Sequence, residues 1–248
     1  MRKVALSILY VWCGVGLLWL FLRIFDTTTH TVVASDDEKF LYSSVNCPKP
    51  NFIEPDLTLA HITSSQGLPN GYVPESLVGI SPYIRTQGWV CVTQETALAL
   101  ARMFSDADKA NIHLEVFSGY RGADLQAAIL ARRRAIDANA DFAVAMPYFS
   151  EHQTGTAVDI TGASVAYQGA QNGFERTPEY AWLAQHAWEY GFNLSYPLTL
   201  KYGAAREFRY EPWHWRYLGI PIATELHDLG ISYNELPELS GTTSSSTL

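Results

Sequence analysis

An apolar segment at the N-terminus separates this chain into one part suited to a membrane and another suited to water. Arg2 and Lys3 precede a charge-free, mostly apolar run from Val4 to Leu22, which is long enough to cross a bilayer as a tilted helix. Basic residues before such a run favour a cytoplasmic N-terminus. Because no small-residue cleavage site follows, residues 1–25 are predicted to form an uncleaved signal anchor, a single-pass transmembrane helix.

The rest of the chain is predicted to hold one folded domain outside the cytoplasm. Residues 26–43 are polar and mixed, as in a tether, and the Ser- and Thr-rich residues 237–248 are predicted to be disordered. Residues 44–236 form the predicted domain, a length that suits a single core. A composition of 48% hydrophobic and 17% charged residues argues against a disordered chain. A net charge of -8 gives no sign of a nucleic-acid partner.

Cys47 and Cys91 are the two cysteines of the predicted domain. In an oxidising compartment they could form a disulfide, which would close a loop of about 45 residues and add roughly 4 kcal/mol in the chain-entropy model. Two free thiols are the alternative, because sequence alone gives no distance between the two sulfur atoms. Both interpretations stay open at this point.

Helical and strand patterns alternate irregularly within the domain. Thr93 is a predicted N-cap, because Ala97, Leu100 and Phe104 follow on one helical face. The stretch HLEVFSGY, which begins at His113, alternates as a strand does. A second helix is predicted from GADLQAAILARRRAI, and its inward-facing residues are expected to be Leu125, Ala128, Ile129 and Ile136. The mixture predicts an α+β domain with a small antiparallel sheet flanked by helices.

The stretch SEHQTGTAVDI, from Ser150 to Ile160, holds two residues of metal-ligand type. Gly155 breaks the chain between them, so His152 is predicted in a turn and Asp159 on a strand formed by TAVDI. Two ligands alone are weak support, because a catalytic zinc usually takes three protein ligands and leaves a fourth position open.

The stretch YEPWHWRY supplies a third candidate, His214, with Glu211 three residues before it. In a regular strand these two side chains would lie on opposite faces. Pro212 cannot donate to a strand ladder, so a kink there could bring both side chains to one site. Two imidazoles and one carboxylate would leave a zinc ion positively charged and able to activate water. Glu211 is then the candidate for moving the proton of that water.

The blocks SGYR, SEHQTGTAVDI and EPWHWRY, in this order, resemble the zinc D,D- and L,D-carboxypeptidases of bacterial cell walls. This family includes the vancomycin-resistance D,D-carboxypeptidases. The resemblance extends upstream to LPNGYVPESLV and covers about Leu68 to Gly219. Its central motif is S-x-H-x-x-G-x-A-x-D, and every fixed position is present, as Ser150, His152, Gly155, Ala157 and Asp159.

The resemblance implies zinc bound by His152, Asp159 and His214. It also implies that Glu211 acts first as the general base and then as the general acid. Arg121, in SGYR, corresponds to the arginine that binds substrate and stabilises charge at the reacting carbonyl.

Further residues of the resemblance are expected at the substrate. Gln126 matches a glutamine that lines the site from the helix after SGYR. Ser150 is expected either to cap its turn alone or to contact substrate as well. Trp213 and Trp215 are expected either to wall the pocket or to be core aromatics. The family usually has serine where this chain has Gly122, which puts a hydroxyl contact from that position in doubt.

The function implied by the resemblance is zinc-dependent removal of the C-terminal D-alanine from peptidoglycan stem peptides. The enzyme is expected to act as a monomer, anchored in the cell membrane with its catalytic domain outside the cytoplasm. One alternative is a D-alanyl-D-alanine dipeptidase, which is normally cytoplasmic and is disfavoured by the anchor. The other is a non-catalytic wall-binding module, which would not need Glu211. Sequence does not decide between D,D- and L,D-specificity.

Three consecutive arginines, Arg132, Arg133 and Arg134, lie near the end of the second predicted helix. They are expected to form its solvated face, because arginine is mostly exposed in folded proteins. A contact with anionic wall polymer is the alternative.

Overall fold

Two small antiparallel sheets form the framework of the protein. The computed structural model describes residues 42–43, 46–50, 56–80, 84–169, 173–199 and 209–236. In chain order the strands are β1 (Tyr42–Ser43), β2 (Leu77–Ile80), β3 (Cys91–Thr93), β4 (Leu114–Ser118), β5 (Ala157–Gly162), β6 (Phe192–Leu194) and β7 (His214–Tyr217). The strand order is β1-β2-β3 in one sheet and β4-β5-β7-β6 in the other.

The described residues also form five α-helices. They are α1 (Gln94–Lys109), α2 (Ala123–Arg134), α3 (Ala140–Ala143), α4 (Pro178–His186) and α5 (Ile220–Leu229). The side chain of Thr93 accepts a hydrogen bond from the backbone N–H of Thr96, so its predicted role as the cap of α1 is confirmed. The predicted mixture of helices and small antiparallel sheet is confirmed as well.

The larger sheet places residues from distant parts of the chain side by side. β5 pairs with β4 on one side and β7 on the other, and all six of its residues are buried. Its register aligns Asp159 with His214 on β7. Directly opposed residues on antiparallel strands place their side chains on the same face. Asp159 and His214 therefore share one face of this sheet.

The main hydrophobic core includes α1 and strands of both sheets. Leu100 and Met103 of α1 are fully buried in the same cluster as Val92 of β3, Val116 of β4 and Ile160 of β5. Full burial of an aliphatic side chain contributes about 1.5–3 kcal/mol. This core fixes β4 and β5 in place, and β5 carries Asp159.

The predicted inward face of α2 is wrong. Leu125 is 53% exposed, and Ile136, which lies beyond the end of the helix, is 83% exposed. Ala128 is also exposed and Ile129 is half-buried. The buried residues of α2 are instead Gln126 and Leu130, which lie one helical turn apart. The amide of Gln126 is tolerated inside because its Nε2 donates a 2.8 Å hydrogen bond to the carbonyl oxygen of Ala145.

A disulfide joins Cys47 to Cys91 on β3, so the structure selects the bridge over two free thiols. The smaller sheet already begins at Tyr42, two residues before the predicted domain boundary. The predicted anchor at 1–25, nearly all of the tether at 26–43 and the tail at 237–248 lie outside the described residues. Within the described ranges, no helix combines the length and apolar character needed to cross a membrane.

Candidate active site

A tight turn positions His152, as predicted. Glu151–Thr154 forms a short 3-10 helix that ends at Gly155, whose φ is 73°. A Cβ at this position would lie 2.8 Å from Cδ2 of Leu77, so both the backbone conformation and the available space require glycine. The backbone N–H of Thr93 donates a 2.8 Å hydrogen bond to the carbonyl oxygen of Gly155, which ties the turn to β3.

Three side chains from this turn, β5 and β7 converge on one point. His152 Nε2 lies 3.3 Å from Oδ1 of Asp159, and His214 Nδ1 lies 3.3 Å from the same oxygen. One ligand atom from each residue lies within 4.8 Å of the others, and all three residues are buried. Two imidazoles and a carboxylate form a donor set that suits zinc and leaves one coordination position open.

Protein groups bind the outer nitrogen of each imidazole. His152 Nδ1 donates to the carbonyl oxygen of Gly119 at 2.7 Å, and His214 Nε2 donates to Oε2 of Glu151 at 2.9 Å. Among the described residues, the buried atoms His152 Nε2 and Asp159 Oδ1 have no hydrogen-bond partner. Buried polar atoms normally have one. The orientation of both rings and these two unpaired atoms therefore fit a metal ion at this point.

The charges around the three side chains also favour a cation between them. Burial disfavours the charged form of Asp159, but the two histidines hold its pKa well below its usual range. Burial and the charge of Arg121 lower the pKa of His152 to about 4. Burial acts against the cation of His214, yet the carboxylates of Asp159 and Glu151 beside it raise its pKa to about 10. The ionised carboxylates of Asp159 and Glu151 thus favour positive charge on His214, and a divalent cation bound there would displace the proton of that imidazole.

Glu151 is a buried residue of the site that the sequence prediction missed. Besides the bond from His214, it accepts hydrogen bonds from Ser195 Oγ at 2.6 Å and from Arg216 Nη1 at 3.1 Å. Burial opposes its charge, but Arg216 and His214 hold the pKa of Glu151 far below its usual range. Arg216 is itself fully buried and donates to the carbonyl oxygen of Ala60 at 2.7 Å. This network holds the imidazole of His214 with Nδ1 towards Asp159.

We expect Glu151→Gln to weaken metal binding and to destabilise the fold. Glutamine keeps the volume, but it leaves the buried charge of Arg216 without a counter-charge, which costs about 3–5 kcal/mol of unfolding free energy. Loss of a carboxylate behind a metal-binding histidine weakens metal affinity by about 10- to 100-fold. Competition with a chromogenic chelator measures the zinc affinity, and urea unfolding measures the free energy.

Ser195→Ala is the matched control for that experiment. It removes one hydrogen bond to the same carboxylate oxygen and keeps both charges of the network. A loss of about 1 kcal/mol of stability is expected, with little change in zinc affinity. A folded Glu151→Gln protein with unchanged zinc affinity would show that this carboxylate does not act on His214.

A turn at Pro212 brings Glu211 beside His214. The backbone N–H of His214 donates to the carbonyl oxygen of Glu211 at 3.1 Å, and Glu211 Oε2 lies 3.5 Å from His214 Nδ1. The predicted kink is present, and β7 begins only at His214. Burial raises the pKa of Glu211 to about 7, with His214 and Arg121 opposing the rise and Asp159 adding to it. Such a carboxyl group suits both accepting and releasing a proton near neutral pH.

The converging side chains and Glu211 line a cleft of about 530 Å³. Arg121 and Gln126 line the same cleft. Among the described residues, Arg121 Nε and Gln126 Oε1 are buried atoms without a hydrogen-bond partner. Because Nε2 of Gln126 is bound to Ala145, the free atom of this amide is an acceptor. The two side chains therefore offer a ligand one donor group and one acceptor.

The structure places the remaining residues of the resemblance relative to the cleft. Ser150 lines the cleft and its side chain makes no capping hydrogen bond, so the cap common to both expectations is not observed and the contact with substrate stays a prediction. Trp213 lines the cleft, whereas Trp215 belongs to the buried core. An added Cβ on Gly122 would have Tyr120 Oη, at 3.5 Å, as its nearest neighbour. The space for the family's serine is thus present.

Known proteins resemble this chain in both sequence and fold. The VanY family model, described as D-alanyl-D-alanine carboxypeptidase, matches residues 90–220, just over half of the 248 residues. The Bacillus subtilis (strain 168) protein YodJ, a proposed carboxypeptidase, is 32% identical over 186 residues. That alignment covers 73% of this chain and 67% of YodJ.

Two solved structures have a similar fold. The LD-carboxypeptidase LdcB is 32% identical with a TM-score of 0.66, and the match covers 74% of this chain and 87% of LdcB. The vancomycin resistance D,D-pentapeptidase VanY in complex with Zn(II) is 26% identical with a TM-score of 0.58. That match covers 72% of this chain and 97% of VanY. The protein therefore belongs to the VanY family of D-alanyl-D-alanine carboxypeptidases.

Proposed function

We propose that this protein is a zinc carboxypeptidase that removes the C-terminal D-alanine from peptidoglycan stem peptides. The observation that carries the proposal is the convergence of His152, Asp159 and His214 in a cleft that Glu211 also lines. The solved relatives add support, because one is an LD-carboxypeptidase and another is a D,D-pentapeptidase in complex with Zn(II). A wall-binding module would need no general base, so Glu211 supports an enzyme.

The proposed chemistry divides between the metal site and Glu211. Zinc held by His152, Asp159 and His214 would supply a positive charge that polarises the substrate carbonyl and lowers the pKa of a water molecule. Glu211 takes the proton of the attacking water as the bond from that water oxygen to the carbonyl carbon forms. It then gives the proton to the amide nitrogen as the C–N bond breaks, and D-alanine leaves as the free amine.

Arg121 and Gln126 are proposed to orient the substrate. Arg121 lines the same cleft as His152, and its positive charge lowers the pKa of that imidazole. Its fork of N–H groups suits a terminal carboxylate or the negative charge that develops on the carbonyl oxygen. The free Oε1 of Gln126 suits an N–H group of the peptide.

Incubation of the zinc-loaded protein with purified tetrapeptide and pentapeptide stems tests this function. Mass spectrometry identifies which stem loses D-alanine, so that cleavage of the pentapeptide indicates D,D-specificity and cleavage of the tetrapeptide indicates L,D-specificity. No release from either stem at any zinc concentration would contradict the proposal. Cleavage of free D-alanyl-D-alanine alone would indicate a dipeptidase instead.

We expect Arg121→Lys to lower kcat/KM for the cleaved stem by at least about tenfold, because lysine keeps the charge but loses the paired hydrogen bonds. Zinc content should stay unchanged. Arg134→Lys is the control, since Arg134 is an exposed arginine that pairs with Asp141 and does not line the cleft. Near-normal turnover of Arg121→Lys would show that the guanidinium fork has no part in catalysis.

We also propose that the protein is a single-pass membrane protein whose domain lies outside the cytoplasm. The disulfide between Cys47 and Cys91 supports this placement, because disulfides persist in oxidising compartments and are rare in the cytosol. The apolar run from Val4 to Leu22 and the basic residues before it supply the anchor and its orientation.

Protease added to intact spheroplasts that express the full chain is expected to digest the domain. The protein should also stay in the membrane pellet after carbonate extraction, because a spanning helix resists removal. A cytoplasmic marker protein, digested only after lysis, is the control for intact membranes. Complete protection of a chain that carbonate extracts would contradict the proposed anchor.

A further inference from the structure

Two more arginines line the cleft at the edge where it meets solvent. Arg133 comes from the last turn of α2, and Arg209 comes from the segment before β7. Their side chains are 40% and 38% exposed. Both bind Oδ2 of Asp137, from Arg133 Nη2 at 2.8 Å and from Arg209 Nη2 at 3.1 Å. We call Arg133 and Arg209 the rim pair.

The rim pair presents a net positive charge to the cleft. Asp137 neutralises one of the two guanidinium charges, and its own side chain does not line the cleft. A guanidinium has five N–H donors. Asp137 accepts from Nε and Nη2 of Arg133 and from Nη2 of Arg209. The remaining donors and the excess charge favour an anion at this edge, on a protein whose net charge is -8.

Solvent exposure distinguishes the rim pair from the reacting centre. The side chains of Arg133 and Arg209 are more than a third exposed, whereas those of the three converging residues, His152, Asp159 and His214, are buried. The stem before the scissile bond continues to the wall polymer, so it has to leave the cleft through the solvent-exposed edge where the rim pair lies. A group bound there belongs to the peptide before that bond.

We propose that the rim pair binds a carboxylate of the stem peptide on the N-terminal side of the scissile bond. This inference rests on the proposed function, which sets the direction of the substrate. Stem peptides offer such a carboxylate in a glutamate that is linked through its side chain, and in a diaminopimelate-type residue with a second carboxyl group. Paired guanidinium groups match the two oxygens of either one.

The contacts of Asp137 also fit a second interpretation, in which the two arginines and Asp137 form an ion-pair network that only holds α2 against the segment before β7. The two interpretations differ in what Asp137 does. If Arg133 and Arg209 only fasten the structure, Asp137→Asn should have the same effect as removing either arginine. If they bind a carboxylate, Asp137→Asn leaves both arginines in place and increases the positive charge that the cleft presents.

Binding measurements with matched stem peptides test the proposal. The protein is the zinc-loaded full chain that carries Glu211→Gln, so that the peptides are not consumed. One pair of peptides differs by a free or amidated glutamate carboxyl group, and the other by diaminopimelate or lysine. We expect the carboxylate form of at least one pair to bind about tenfold more tightly than its neutral partner. The pair that shows the preference identifies the carboxylate.

The variants Arg133→Gln and Arg209→Gln, added singly to that protein, are expected to abolish most of the preference. Arg134→Gln is the control on the same helix and should retain it, and Asp137→Asn should retain or enlarge it. An equal affinity for both members of both pairs would overturn the proposal. Loss of the preference in Asp137→Asn would also overturn it and would assign the arginines a structural role.

The unsubstituted protein separates this proposal from the proposed function. Release of D-alanine from stems without any carboxylate preference would leave the function intact and remove the rim-pair subsite. A carboxylate preference in a protein that releases no D-alanine would support the subsite and contradict the carboxypeptidase.

Discussion

His152→Ala and His214→Ala are each expected to remove most of the zinc from a protein that otherwise holds about one ion per chain. Each substitution deletes one of three ligand atoms that lie within 4.8 Å of one another. Loss of a group that hydrogen-bonds a metal ligand weakens metal affinity by about 10- to 100-fold. Loss of the ligand itself should therefore weaken metal affinity by more than that. Metal analysis after dialysis measures the zinc per chain.

The control for this experiment is His113→Ala. His113 is a half-exposed histidine that pairs with Asp108 at 3.1 Å and does not line the cleft. Its removal should leave the zinc content unchanged, which shows that the loss is specific to the site. Full zinc occupancy in both His152→Ala and His214→Ala would exclude the proposed metal centre.

The short motifs were sufficient to predict the local turns of the site. Gly155 predicted the turn that holds His152, and Pro212 predicted the kink that brings Glu211 beside His214. Glycine and proline act through backbone conformation, which the neighbouring residues set. Local sequence therefore predicted the local geometry, whereas the meeting of Asp159 with His214 depended on the resemblance to a family.

Glu151 was missed because its partners are distant along the chain. Next to His152 in a polar turn, a glutamate gives no sequence signal of burial, and charged residues are almost never fully buried unless paired. A usable signal was present in β7. Arg216 lies two residues after His214 and so shares its face of the strand. A buried arginine on the face of a candidate ligand requires a buried carboxylate, which Glu151 supplies at 3.1 Å.

The face of α2 was mispredicted because hydrophobic periodicity assumes that a helix packs only against a core. The start of this helix faces a polar cleft, and there a glutamine occupies the inward position while Leu125 lies in solvent. The sequence did not show that the backbone carbonyl oxygen of Ala145 accepts a hydrogen bond from the amide of Gln126. The error matters for function, because the observed orientation of α2 about its own axis places Gln126 and Arg133 in the cleft.

The other predictions were limited because they depend on contacts between residues that are distant along the chain or lie on separate copies of it. The distance between Cys47 and Cys91 depends on how β3 packs, so the sequence left the disulfide open until the structure joined the two residues. Whether the protein acts as a monomer depends on surfaces between copies, and that expectation stays a prediction.

Glu211→Gln is expected to lower turnover of the stem peptide by at least about 100-fold while zinc and substrate still bind. Glutamine has the shape of glutamate but cannot accept a proton from water at neutral pH. General acid–base groups contribute about 10²–10⁴-fold in rate. Zinc should remain, because Glu211 lies 3.5 Å from His214 outside the set of three converging ligand atoms. Kinetics with mass spectrometry, metal analysis and stem-peptide affinity together test this expectation.

The control for Glu211 is Glu189→Gln, which alters an exposed carboxylate that pairs with His186 and does not line the cleft. Turnover of this control should match that of the unsubstituted protein. Loss of zinc from Glu211→Gln would mean that Glu211 is itself a ligand and that one of the three assigned ligands is wrong. If the unsubstituted protein and Glu211→Gln bind wall fragments equally and neither releases D-alanine with any metal, the cleft serves binding alone. A selective loss of turnover, with zinc and peptide affinity intact, would instead assign to Glu211 the proton transfer that its position beside His214 suits.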